Sequence, residues 1–121
     1  MTGIDEIEDR PALERYLADQ GDSPVWIFKH SLTCGTSGWA LDRYRRFVEE
    51  QPTGHGCRFA ILPVQTARDA SDHLAALTGV RHESPQALLL QGNRVLWHAS
   101  HWRITEKELA AAALLAAPEA D

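Results

Sequence analysis

The residue of this chain best suited to covalent chemistry is a cysteine in a polar loop. Cys34 follows the apolar run 25–28 and lies in the segment 29–37, which reads KHSLTCGTS. The amphipathic pattern after it predicts a helix that begins at this cysteine. Unpaired N–H groups at a helix N-terminus and the helix dipole stabilise a thiolate, which is the nucleophilic form. We therefore predict that Cys34 is reactive, and that the hydroxyls of Thr33 and Ser37 help to stabilise its thiolate.

The residues around Cys34 exclude several other cysteine chemistries. Ser37 stands three residues later, where a dithiol oxidoreductase carries its second cysteine. A cysteine phosphatase needs an arginine six positions on to bind phosphate, and that position holds Ala40. A peroxiredoxin would have threonine three residues before the cysteine, where this chain has the similar Ser31, but the proline that precedes a peroxiredoxin cysteine is absent at the usual offset. Thiol–disulfide exchange by one cysteine remains, with no second thiol nearby to displace what it has bound.

The other cysteine and the histidines are predicted to have structural or binding roles. Cys57 begins a predicted strand beyond a Gly-rich loop, and we expect it to be buried and structural. His30, Cys34, His98 and His101 could form a metal site, but they include no recognised ligand spacing and only one thiolate. We therefore expect no metal, and histidines that hydrogen-bond to loops or line a substrate groove.

Composition indicates one globular domain spanning residues 1–121, with a frayed tail at about 117–121. The 121 residues are 44% apolar and 24% charged, with a net charge of −5, which argues against a nucleic-acid partner. No apolar stretch is long enough for a membrane span, and the acidic N-terminus is unlike a signal peptide. We expect a cytoplasmic protein, in a compartment that keeps both cysteines reduced. The oligomeric state is left open.

The hydrophobic patterns and turn residues predict the order strand, helix, strand, helix, strand, helix, strand, strand, helix. Asp9 is the expected N-cap of the first helix, Gly79 the C-cap of the third, and Thr105 to Glu108 a capping box for the last, which reaches about Ala116. Ala70, Leu74 and Leu77 are expected to be buried by the third helix. The strands are predicted near Ile4–Ile7 and at 25–28, 57–64, 86–90 and 94–98, with a Gly-Asn turn between the last two.

This order predicts an α/β fold of the thioredoxin type, βαβαβαββα, with a central mixed sheet of four to five strands between helices. Ser84-Pro85 directly precedes the first strand of the predicted hairpin, where that fold has a cis-proline facing the active cysteine. Trp97 and Trp102 flank a predicted loop, His98 to His101, and are expected to pack the hairpin against the last helix.

Several blocks of the sequence resemble the monothiol bacilliredoxins, a thioredoxin-fold family. The resemblance covers nearly the whole chain, in order, and the two later blocks are more specific than the cysteine motif. The blocks are Lys29-His30-Ser31, Thr33-Cys34 and Ser37; Val64-Gln65, Ala67-Arg68 and Ser71; Val80 and His82 to Ala87; and Trp97-His98, Ser100-His101-Trp102 and Ile104-Thr105.

The resemblance implies a monothiol oxidoreductase that removes bacillithiol from S-bacillithiolated cytosolic proteins. Cys34 would be the nucleophile, bacillithiol the co-substrate, and thiolated proteins the partners, with no bound cofactor. Ser84 and Pro85 would belong to the substrate-facing loop, and Gly35 and Thr36 to the thiolate-stabilising or substrate-binding turn. Further candidates for the groove, whose roles the resemblance does not establish, are His30, His101 and Trp102.

One departure from the family pattern keeps two alternatives open. The family typically has Cys-Pro-Ile-Ser, whereas this chain has Cys34-Gly35-Thr36-Ser37. That tetrad also resembles the Cys-Gly-Phe-Ser of monothiol glutaredoxins, which hold iron–sulfur clusters, although their later Gly-Gly pair is replaced here by the segment from Trp97 to Thr105. The second alternative is a non-catalytic stress or interaction protein that keeps only the fold.

Overall fold

The computed structural model describes residues 3–33, 35–51, 57–92 and 94–116 of the chain. Within them lie five β-strands, four α-helices and one short 3-10 helix. The predicted Gly-rich loop at 52–56, Asn93 of the predicted turn, the tail at 117–121 and Cys34 itself lie outside the described residues. The elements are β1 (Ile4–Glu6), α1 (Arg10–Gln20), β2 (Val25–His30), α2 (Gly35–Glu49), β3 (Arg58–Pro63), α3 (Arg68–Thr78), β4 (Gln86–Gln91), β5 (Arg94–Ser100), the 3-10 helix (His101–Arg103) and α4 (Glu106–Ala113).

The five strands form one mixed sheet in the order β1-β3-β2-β4-β5. β3 pairs in parallel with β1 and β2, whereas β4 is antiparallel to both β2 and β5. An irregularity between Leu89 and Leu90 leaves one extra residue on β5. The predicted α/β order and mixed sheet are confirmed. None of the described helices is both long and apolar enough to cross a membrane.

The central strand β2 separates two hydrophobic cores because its side chains alternate between the faces of the sheet. Trp26 and Phe28 face α2 and α4, where the core is rich in aromatic rings, including Tyr44 stacked on Phe28 at 5.0 Å between centroids. Val25 and Ile27 face the opposite core, which α1 and α3 cover with mostly aliphatic residues. Both faces of β2 are therefore covered, as its unbroken apolar run predicts.

The helix ends follow the predicted capping residues. Asp9 accepts a hydrogen bond from Ala12 N–H at 2.8 Å, and Thr105 accepts one from Glu108 N–H at 3.1 Å. Gly79 ends α3 with φ at +73°, a left-handed conformation that glycine adopts at little cost. These contacts fix where α1 and α4 begin and where α3 turns towards the loop before β4.

Three local predictions were wrong. Leu77 is 47% exposed, since the buried residues of α3 end at Leu74, one turn before the end of the helix. α4 ends at Ala113 rather than near Ala116, and the next two leucines are exposed. β5 continues through Ser100, so most of the predicted loop between Trp97 and Trp102 is paired strand.

Candidate active site

The residues on either side of Cys34 join the central strand to a helix. β2 ends at His30, and α2 begins at Gly35, the residue that follows Cys34 in the sequence. The predicted connection from strand to helix is therefore confirmed for the residues on either side of Cys34. Cys34 itself lies outside the described residues. Gly35 is exposed, and a Cβ built on it would meet no atom within 4 Å. The half-buried Thr36 follows in the first turn of α2.

Residues 31–33, here called the nucleophile loop, are held by side chains rather than by backbone pairing. The three successive N–H groups each donate to a side-chain oxygen. Ser31 N–H donates to Ser37 Oγ at 2.8 Å, Leu32 N–H to Gln65 Oε1 at 3.0 Å, and Thr33 N–H to Ser31 Oγ at 3.4 Å. The Ser31 N–H is buried and needs such an acceptor, whereas Leu32 and Thr33 are exposed. The three hydrogen bonds together determine the path of this loop.

Ser37 is fully buried and its hydroxyl has two neighbours. Its Oγ accepts the Ser31 N–H and lies 2.9 Å from His30 Nδ1. Burial, with a smaller contribution from Arg45, lowers the pKa of His30, which favours the neutral ring. The position of the missing second cysteine is therefore occupied by a packed, hydrogen-bonded hydroxyl. That Ser37 and Thr33 stabilise a Cys34 thiolate stays a prediction.

Residues 79–85, here called the proline loop, precede β4 at the same end of the sheet as the nucleophile loop. The Ser84–Pro85 peptide bond is cis, as the fold predicts. Pro85 is buried and its carbonyl accepts a hydrogen bond from His101 N–H at 3.0 Å. Within the described parts of the chain, the buried Ser84 Oγ has no hydrogen-bond partner.

The proline loop is anchored by a buried charge that sequence reasoning missed. Lys29 is fully buried on β2, and its Nζ donates to Ser71 O at 3.3 Å and to His82 Nδ1 at 3.2 Å. Because an ammonium only donates, His82 Nδ1 is the acceptor, and Ser71 Oγ lies 3.1 Å from the same nitrogen. Burial lowers the pKa of Lys29 to about 8, against a raising effect of Asp72. Burial, and then the charge of Lys29, lower the pKa of His82.

Gln86 is a second buried anchor of the proline loop. It lies opposite Lys29 in the antiparallel register of β2 and β4 and is 1% exposed. Its Nε2 donates to Arg81 O at 3.0 Å and to Ser100 Oγ at 3.4 Å. A lysine that directly continues an apolar strand, paired with a glutamine that opens another, was the signal available in the sequence.

Of the three predicted groove residues, only His30 lines a cleft formed wholly by described residues. His30 lines a cleft of about 390 Å³ beside α2, together with Leu32, Leu41 and Arg45. Neither His101 nor Trp102 is among the described residues that line it. Those two lie in the 3-10 helix that follows β5.

Trp102 is 64% exposed and contacts Trp39 of α2 edge to face, with 4.9 Å between ring centroids. The expectation that Trp102 packs the hairpin against the last helix was therefore wrong, since its ring partner is on α2. Across the described residues, no group of three or more His, Cys, Asp or Glu side chains is placed to hold a metal ion.

Comparison with known structures defines the class of protein. Fasciola hepatica thioredoxin superposes with a TM-score of 0.75 at 12% identity, covering 94% of this chain and 100% of that one. The short form of spinach chloroplast thioredoxin f gives 0.73 at 18% identity, covering 93% and 92%. At these identities the likeness shows the fold alone, so the chain is a thioredoxin-fold protein.

The family follows from two closer matches. The sequence model of the monothiol bacilliredoxin BrxC family matches residues 5–109. A solved protein, described as a proposed oxidoreductase with a thioredoxin fold, is 31% identical, with a TM-score of 0.78 over 90% of this chain and 92% of that one. The chain belongs to the monothiol bacilliredoxin family and is a thiol–disulfide oxidoreductase.

Proposed function

We propose that this protein removes bacillithiol from mixed disulfides on cytosolic proteins, with Cys34 as the nucleophile. The observation that carries the proposal is the buried Ser37 hydroxyl, which is bonded to Ser31 and His30 and follows Cys34 by three residues in the sequence. A family whose members act with one thiol fits that arrangement. The thiolated proteins and the small thiol are the partners, and the reaction needs no resident cofactor.

The chemistry is two successive thiol–disulfide exchanges. In the first, the Cys34 thiolate attacks the bacillithiol sulfur of the mixed disulfide. The bond to the target protein breaks, the target leaves as a thiolate that takes a proton from water, and Cys34 carries bacillithiol as a disulfide. In the second, another bacillithiol thiolate attacks that bacillithiol sulfur, which regenerates Cys34 and releases the bacillithiol disulfide. The two electrons that reduce the mixed disulfide come from two bacillithiol molecules, the one removed from the target and the second one, which end as the bacillithiol disulfide.

Ser37 contributes to the proposed reaction because it cannot attack the disulfide that Cys34 forms. A thiol at this buried position could attack the Cys34 disulfide and expel bacillithiol, as in dithiol enzymes. A hydroxyl cannot form a disulfide, and its hydrogen bonds keep it in place. The adduct therefore waits for a second small-thiol molecule.

The test uses a protein bearing one bacillithiolated cysteine, incubated with excess bacillithiol. We expect the unaltered chain and Cys57→Ala to release the target thiol at similar rates, and Cys34→Ala to give only the uncatalysed rate. Without added bacillithiol, intact-mass measurement should show one bacillithiol adduct on Cys34. Release by Cys34→Ala above the uncatalysed rate would contradict the mechanism. A glutathionylated target processed at the same rate would contradict the assignment of bacillithiol.

A further inference from the structure

Gln65 makes three hydrogen bonds to the nucleophile loop from outside the β2–α2 connection. Its Oε1 accepts the Leu32 N–H at 3.0 Å. Its Nε2 donates to Ser31 Oγ at 2.8 Å and to Thr33 Oγ1 at 3.2 Å. The amide orientation is fixed by this set, because only the oxygen can accept from an N–H group. One side chain therefore contacts each residue of the loop.

The backbone brings Gln65 to this position. Val64 N–H donates to His30 O at 2.9 Å, which extends the parallel pairing of β2 and β3 by one residue. The β2–α2 and β3–α3 connections therefore leave the sheet side by side. Gln65 is exposed and is the first residue beyond this pairing, so packing of the core does not account for its contacts.

The hydroxyls of Ser31 and Thr33 also contact one another. Ser31 Oγ and Thr33 Oγ1 lie 3.3 Å apart, and both accept from the Gln65 amide. Linked hydrogen bonds of this kind polarise and strengthen one another, so the three side chains form one network.

We propose that Gln65 is a positioning residue for Cys34: its three hydrogen bonds fix residues 31–33, which lead directly into Cys34. The proposal rests on the proposed function, in which Cys34 is the nucleophile. A loop released from Gln65 would sample more conformations, and the thiolate would lose part of its stabilisation. The pKa of Cys34 should then rise.

The experiment measures the rate of Cys34 alkylation by iodoacetamide against pH, in a Cys57→Ala chain where Cys34 is the sole thiol. The variants are Gln65→Leu, which removes all three hydrogen bonds, and Gln65→Glu, which keeps an acceptor but adds a negative charge. Gln51→Leu is the matched control, since Gln51 donates to Phe47 O at the far end of α2. Thermal unfolding of each variant reports stability separately.

We expect Gln65→Leu to raise the Cys34 pKa by about half a unit to one unit, in line with the loss of a few modest hydrogen bonds. Gln65→Glu should raise it further, because a carboxylate disfavours a nearby thiolate. Gln51→Leu should leave the pKa unchanged. Equal pKa values in Gln65→Leu and Gln51→Leu, with a lowered value in the parent chain, would overturn the role of Gln65 alone. An ordinary value of about 8.5 in the parent chain would overturn the activated nucleophile as well.

Discussion

The nucleophile loop and the proline loop meet the same end of the sheet, yet different kinds of group hold them. Neutral amides and hydroxyls hold the nucleophile loop, through Gln65 and Ser37. The proline loop is held by the neutral Gln86 amide and, in addition, by a buried ammonium and a histidine, Lys29 and His82. The first set keeps its hydrogen bonds across the neutral and mildly alkaline range. The second depends on which of its members carries a proton.

The difference shows that the free-energy cost of burying a charge falls on the proline loop. Burying Lys29 is unfavourable to its charged form, which is why its pKa falls to about 8. The nucleophile loop carries no comparable cost, since its neutral partners satisfy every loop N–H. The proline loop should therefore respond to pH, and the nucleophile loop should respond to substitution of its neutral partners at any pH in that range.

The largest expected effect is on the pH dependence of stability around Lys29. The unfolded lysine titrates near 10.5 and the folded one near 8, so the unfolded state binds more protons between those values. Stability should therefore rise with pH through this window in the unaltered chain, relative to Lys29→Met. From pH 8 to pH 10 the difference in unfolding free energy should change by about 2 kcal/mol in favour of the unaltered chain. Urea denaturation at each pH measures it.

Lys107→Met is the control for this prediction, because Lys107 is exposed on α4. Its unfolding free energy should run parallel to that of the unaltered chain. A constant difference between the unaltered chain and Lys29→Met across the window would contradict the buried charge.

The next effect concerns the neutral network. Ser37→Ala leaves the Ser31 N–H without its acceptor and should lower the unfolding free energy by about 1.5 kcal/mol. The loss should be the same at pH 7.5 and pH 9.5, because neither partner of Ser37 changes its protonation between them. Denaturation in a Cys34→Ala chain measures it without interference from thiol titration. If the loss of unfolding free energy in Ser37→Ala varied with pH, the nucleophile loop would not differ from the proline loop in its response to pH.

The smallest effect separates the two roles of His82 in the proline loop. His82→Leu removes an acceptor for Lys29 and should lower the unfolding free energy by less than about 1 kcal/mol. His82→Gln keeps an acceptor and should lower the unfolding free energy by less than His82→Leu does. The lowered pKa of His82 means that the unfolded state takes up a proton first as pH falls below about 6.5. Stability should fall with acidification in the unaltered chain and less so in His82→Gln. If acidification lowered the stability of the two chains equally, a group other than His82 would be responsible for the acid sensitivity.

Much of the fold could be predicted because periodicity and capping residues act locally. Asp9, Gly79 and Thr105 each determine a helix end through contacts within four residues. The alternation between apolar faces also follows from short stretches of chain. Leu77 shows the limit of this reasoning, since it has the same helical spacing as Ala70 and Leu74 and is nevertheless 47% exposed.

The candidate site was less accessible from the sequence, because its contacts join distant residues. Gln65 reaches residues more than thirty positions earlier, and no periodic pattern marks such a pair. Lys29 is the clearer case: hydropathy predicts that a lysine ends a buried strand, whereas the strand continues through it and buries the charge. Cys34 and Ser37 could be singled out as candidates from the sequence around them, but the contacts of Gln65 and Lys29 could not.

The contact between Trp39 and Trp102 gives the chain an optical reporter. Trp102 is 64% exposed, whereas Trp26 is 1% exposed in the core, so the two indoles differ in how far water reaches them. Trp39 lies in the first turns of α2, and Trp102 follows His101, whose N–H holds the Pro85 carbonyl. A protein that covers Trp39 and Trp102 should therefore reduce the quenching of tryptophan fluorescence by acrylamide, and the measurement needs no added label.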